Sequence, residues 1–296
     1  VHEERDLYGQ VRQLMEQGAA YQKIVAQYVL SNTKNKDLRL GIAREYLDET
    51  DPELRYWILT NYTTDYFYEW VEGGTVADRI VKVARTPLLE SKEERRKDFE
   101  RLHNLFVHMK KGESTEPSKV LDYVNLYHRS DAPIQKMLYL AGYDMHASWI
   151  GEIIALKDQI SPNLRGEILN HFVQNPEDAV QRDFIFSSLS DKSMSIREFA
   201  VAKARKLTLS EPEMQQMEAL LKLKTGSLRQ SVIGVLLSQS EDPLAGSLER
   251  LLRAKAELQR LGGLEILTKI YADPDRAQQY ENLRALADII QQPTAK

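Results

Sequence analysis

The chain has no cysteine. That removes disulfides, thiolate metal ligands and a cysteine nucleophile together, and it fits a reducing compartment such as the cytoplasm. An excess of positive charge is also missing: 40 Lys and Arg stand against 44 Asp and Glu, a formal charge of −4. A nucleic-acid binder neutralises phosphates with surplus cations, so any such role would have to rest on a local basic face. No apolar run approaches the roughly 20 residues of a membrane-spanning helix, and no signal-peptide pattern opens the chain. Glycine occupies only 14 of 296 positions, which suits helices with short connections better than a β-sandwich or a disordered tail. The first residue is Val1 rather than Met, which a processed terminus or a segment of a longer protein would give; the segment is expected, because helical repeats run close to the last residue.

Motifs for chemistry are scarce as well. There is no G-x-S-x-G, no P-loop and no G-x-G-x-x-G. Gly73-Gly74 and Gly262-Gly263 lack the preceding strand of a phosphate loop, and the second pair suits close helix packing. His103 and His108 are five apart rather than four, which turns them off a common helical face. No catalytic residue, metal site or cofactor follows from these patterns.

What is present is periodicity. Ser161-Pro-Asn-Leu164-Arg165, Ser195-Ile196-Arg197, Ser227-Leu228-Arg229 and Glu257-Leu258-Gln259 each open an amphipathic run, the aliphatic residue recurring after 32, 32 and 30 positions. Ile134-Gln135 fits 30 residues earlier. Such a period in a helical chain indicates stacked helical pairs, which bury their apolar faces on one another. Proline gives an independent map, because it is tolerated in the first turn of a helix after a polar cap. Asp51-Pro52, Ser161-Pro162, Asn175-Pro176, Asp242-Pro243 and Asp273-Pro274 have that form, with looser versions at Pro117, Pro133 and Pro212. The proline starts near 176, 212, 243 and 274 alternate with the Leu/Ile-Arg starts, so each repeat holds two antiparallel helices.

Before residue 130 this register does not hold. Residues 1–130 read as irregular helical pairs or a capping region continuous with the regular array of 131–296, and Pro117 to His128 reads as one of the helices. Lys92, Arg95, Arg96 and Lys97, interleaved with acids, read as a solvated helix face.

Asp191-Lys-Ser-Met-Ser-Ile196-Arg197-Glu-Phe-Ala200-Val-Ala202 resembles a HEAT repeat, with an Asp six positions before the Arg of an aliphatic-Arg pair. The resemblance implies an all-α, right-handed superhelix in which second helices line a concave surface, and an Asp191–Arg197 ladder contact. Gln159 and Leu223 stand where that Asp would be in neighbouring repeats, and Gln135 and Gln259 replace the Arg.

Two groups are candidate binding residues. Arg165, Arg197 and Arg229 recur at one repeat position and form either a row facing an acidic partner or a structural ladder. Trp57, Tyr66 and Trp70 belong to the aromatic-rich stretch 56–70, which either fills a wedge between helices or presents a stacking surface. The expected function is non-enzymatic: a helical-repeat scaffold binding a protein or another domain of a longer chain. The alternative is a HEAT-like DNA glycosylase or other nucleic-acid enzyme, which the net charge opposes.

Overall fold

The computed structural model describes residues 2–31, 41–42, 44–50, 54–56, 58–59, 91–108, 118–121, 124–126, 131–142 and 147–274. Among these the fold is all-α apart from one short β-hairpin. The chain forms two compact units, Val1–Leu164 and Arg165–Lys296.

In the first unit, α1 (His2–Gln17) packs on α2 (Ala20–Ser31). Val11 and Met15 are one helical turn apart and bury against the partner helix, as Ile24 and Leu30 do from α2. The break between the two falls at Gly18, where a Cβ would stand 2.3 Å from the Leu14 carbonyl oxygen. Only glycine closes α1 in this way. Helix α3 (Lys92–His108) begins at Ser91, whose hydroxyl accepts from Glu94 N at 3.1 Å, and buries Phe99, Leu102, Leu105 and Phe106. It packs on α4 (Ala132–Gly142), which packs on α5 (Ala147–Ile154).

The cationic start of α3 is not a solvated face throughout. Lys92 and Lys97 are exposed, but Arg95 is buried. Arg96 lies 5.2 Å over the Phe99 ring and 5.6 Å over Trp149, and grips both Glu152 oxygens at 2.7 and 3.1 Å. A planar guanidinium is more weakly hydrated than an ammonium and can lie over aromatic rings while its N–H groups bond a carboxylate. The reading of 117–128 as helix also gives way. Strands β1 (Ser118–Leu121) and β2 (Val124–Leu126) pair antiparallel, with Ser118 opposite Leu126. Val120 and Val124 are β-branched and Asn125 is a weak helix former, so local propensity favours extension once pairing is possible.

The second unit repeats one motif. Helix α6 (Pro162–Glu167) enters this unit at Arg165 and continues into a π turn at Ile168–Phe172, and that turn packs on α8 (Met194–Ala204). Helix α7 (Ala179–Ser188) pairs with α8, α9 (Glu211–Leu220) with α10 (Gly226–Leu236), and α11 (Glu241–Leu252) with α12 (Glu257–Tyr271). Between pairs, like packs on like: α8 on α10, α10 on α12, and α9 on α11. The prolines act as expected at Pro162 and Pro212, in the first turns of α6 and α9. Pro176 instead precedes the cap of α7, which is Asp178 accepting from Gln181 N.

Gly262 and Gly263 are where α12 meets its neighbours most closely. A Cβ on Gly262 would lie 2.8 Å from Leu221 Cδ1, and one on Gly263 3.2 Å from Leu251 and Leu252. This is the close packing expected of that pair.

Candidate functional site

Four second helices begin at Pro162, Met194, Gly226 and Glu257, and the fourth residue of each is an arginine: Arg165, Arg197, Arg229 and Arg260. The intervals are 32, 32 and 31 residues. The repeat therefore holds its arginine in the last pair, one position after Gln259, and Gln259 takes the place of the aliphatic residue. Aligning on Leu258 hid this, because an apolar residue at the neighbouring position mimics the register.

These arginines are engaged within the fold. A side chain in the first helical turn leans toward the N-terminus and so toward the preceding turn. Arg197 Nη1 accordingly donates to the carbonyls of Asp191 and Lys192, and Arg260 Nη1 to those of Ala254 and Lys255 at 2.8 and 2.9 Å, six and five residues back in both cases. Arg229 donates to Leu221 O and reaches across to Leu258 O at 3.0 Å and Glu265 at 3.4 Å. Arg165 takes the Asp191 carboxylate, Nε to Oδ2 at 2.9 Å and Nη2 to Oδ1 at 3.1 Å. The expected Asp191–Arg197 contact is thus a main-chain contact, and the carboxylate belongs to the arginine of the preceding repeat. Asp191 also accepts from Ser193 N at 2.8 Å, which leaves its oxygens well used.

The first-helix layer carries its own clasps. Arg182 bonds Glu213 at 2.6 and 2.8 Å, and Arg250 spans Glu218 and Glu211. Burial alone would raise the Glu213 carboxyl, but bonds from Arg182 and Ser210 outweigh it and hold the group below its ordinary value. Trp57, Tyr66 and Trp70 lie outside the described residues.

An open site lies between α7, α8 and the π turn, a pocket of about 460 Å³. Its floor is Val173, Ile185, Phe199 and Leu207; Asn170, Gln174, Lys203 and Lys206 stand around it. Phe199 is placed by Gly166, where a Cβ would come within 3.1 Å of the ring. The π turn then ends the helix at Val173, whose carbonyl accepts from Lys203 Nζ at 2.9 Å. Burial, and after it repulsion from Lys206, lowers the Lys203 pKa below that of an ordinary lysine. No carboxylate lines this pocket. It is a cationic rim on an apolar floor, suited to an anionic group attached to an apolar body. Sequence patterns did not single it out, although Lys203 stands at a repeat position held by Val235 and Ile266 in the two pairs that follow.

Among the described residues no three metal-ligating side chains come together, and no helix is long and apolar enough to cross a membrane. No curated protein matches the chain. Over residues 1–296 it matches, and belongs to, the Family of unknown function (DUF5724).

Proposed function

We propose that this member of the family is a non-enzymatic helical-repeat interaction module, its second unit a HEAT-like solenoid that binds a protein or another domain. The observation that carries the reading is the like-on-like packing of three successive helix pairs, with an arginine at the fourth position of every second helix. Pairs that contact only their sequence neighbours build a surface that lengthens with each repeat, and binding is the common use of such a surface. In a right-handed superhelix of this kind the second helices line the concave side, the layer to which Phe199, Lys203 and Lys206 of α8 belong. Arg165 and Arg229 tie neighbouring repeats and Arg197 and Arg260 brace the turn of their own pair, so the arginines serve cohesion rather than a partner.

The test is affinity capture with the intact chain, followed by reconstitution from purified components. A protein that forms a stoichiometric complex by light scattering is the expected result. Retention of duplex DNA at low salt, with no protein partner, would replace this reading with the nucleic-acid one.

A further inference from the structure

Aligning the second helices on their arginines puts Lys203, Val235 and Ile266 at one position, six residues after Arg197, Arg229 and Arg260. Val235 and Ile266 are fully buried in the stack, whereas Lys203 is half-buried and lines the pocket. At the α8–α10 junction the counterpart of Leu207 is Gln239, ten residues after the repeat arginine, which accepts from Leu209 N at 2.9 Å and donates to Leu207 O at 3.0 Å. At the junction before α8, a lysine stands where the next two pairs place Val235 and Ile266, and a π turn stands where α8, α10 and α12 are regular helix. Departures of this kind from a sequence's own local rule cluster at functional sites, and π turns do so too.

We infer that this pocket is a docking site for a peptide segment in which a carboxylate flanks an apolar side chain. The proposal rests on the interaction-module reading and names the partner's chemistry. The floor supplies the apolar half. Phe199 is only partly covered although Ile196, three residues earlier, is buried, so an incoming aliphatic or aromatic side chain removes exposed ring surface from water. The rim supplies the charge. Lys203 is held by one of its three N–H groups on the Val173 carbonyl, Lys206 is exposed beside it, and no lining carboxylate neutralises either.

A peptide fits better than a bare carboxylic acid because the rim also offers amides. Asn170 and Gln174 are exposed, and the Gln174 amide nitrogen is already bonded to His171 O at 3.0 Å, which directs its oxygen to accept a backbone N–H. The volume lies within the roughly 300–1,000 Å³ that ligand sites span. Two cations on a chain of net charge −4 suit a single carboxylate rather than a phosphate backbone.

The experiment is selection of displayed random dodecapeptides on the intact chain, then fluorescence anisotropy with the fluorescein-labelled synthetic peptide that is most enriched. Enriched sequences are expected to carry Asp or Glu within two residues of a branched aliphatic or aromatic residue. Their affinity should fall at least tenfold with Lys206→Glu, a surface change, and with Lys203→Val, which installs the residue of the next repeat and leaves the thermal midpoint unchanged or higher. No enrichment over an unrelated control protein overturns the proposal. So do enriched peptides that lack a carboxylate, or that bind both variants within twofold. That last result removes the pocket and leaves the interaction module standing. Failure of partner capture alongside peptides that obey the pattern removes the larger reading and keeps the pocket.

Discussion

Arg165 and Asp191, 26 residues apart, form a bidentate ion pair whose two side chains are 17% and 11% exposed. Removing one member leaves the other charged and largely dry, so Asp191→Ala should cost about 2 kcal/mol or more in chemical denaturation. A double-mutant cycle identifies the partner. Arg165 with Asp191 should couple by about 1 kcal/mol or more, and Arg197 with Asp191 by less than about 0.5 kcal/mol, since Asp191→Ala keeps the carbonyl that Arg197 uses. Equal coupling for both pairs would contradict this assignment.

Gly262 and Gly234 are both interior helical glycines with opposite surroundings. Gly262→Ala must push Leu221, which is fully buried, and should cost about 1–3 kcal/mol. Gly234 has nothing within 4 Å of a built Cβ, so Gly234→Ala should stabilise by roughly 0.5–1 kcal/mol through helix propensity. Thermal midpoints that move in the same direction would show the close approach to be unimportant.

Ile196 and Phe199 separate core from pocket on one helix. Ile196 is 1% exposed and Ile196→Ala should cost about 2–5 kcal/mol. Phe199, the larger side chain, borders the pocket, and Phe199→Ala should cost less than Ile196→Ala in the same denaturation experiment. A greater loss at Phe199 would mean that its ring is part of the core.

Glu167 has its pKa raised by burial. A carboxyl with a folded pKa above its unfolded value adds stability that is complete below the unfolded carboxylate range and lost as pH rises through the folded pKa. Glu167→Gln cannot ionise. The variant should therefore gain on the parent at neutral pH, with the difference closing toward pH 4. A gap between thermal midpoints that stays constant with pH would remove burial of the charge as the cause.

Much of the second unit was legible before any coordinates. The 32-residue spacing of Leu164, Ile196 and Leu228 marks three second helices, because stacked pairs demand an aliphatic residue at a recurring place. The fourth was misaligned by one residue, since Leu258 beside Gln259 offers an apolar side chain at the wrong phase. The Arg165–Asp191 pair was not readable: Asp191 is closer in sequence to Arg197, and only the stacking of α8 on the preceding turn brings Arg165 to its carboxylate. The helix expected over Pro117 to His128 gives way to paired strands at Ser118–Leu121 and Val124–Leu126, because pairing is not visible in the local pattern and lets β-branched Val120 and Val124 extend.

By itself, then, the sequence determined that the second unit is built of paired helices, where most of them begin, and that an arginine stands in the first turn of three of the four second helices. These are local matters of periodicity, capping and propensity, settled within about one turn. Which carboxylate each arginine holds, which lysine borders an open space and which aromatic is left half-covered were decided by tertiary structure. Those outcomes depend on side chains that meet across 26 to 41 residues, and on a single π turn whose extra residue changes what fits beside it.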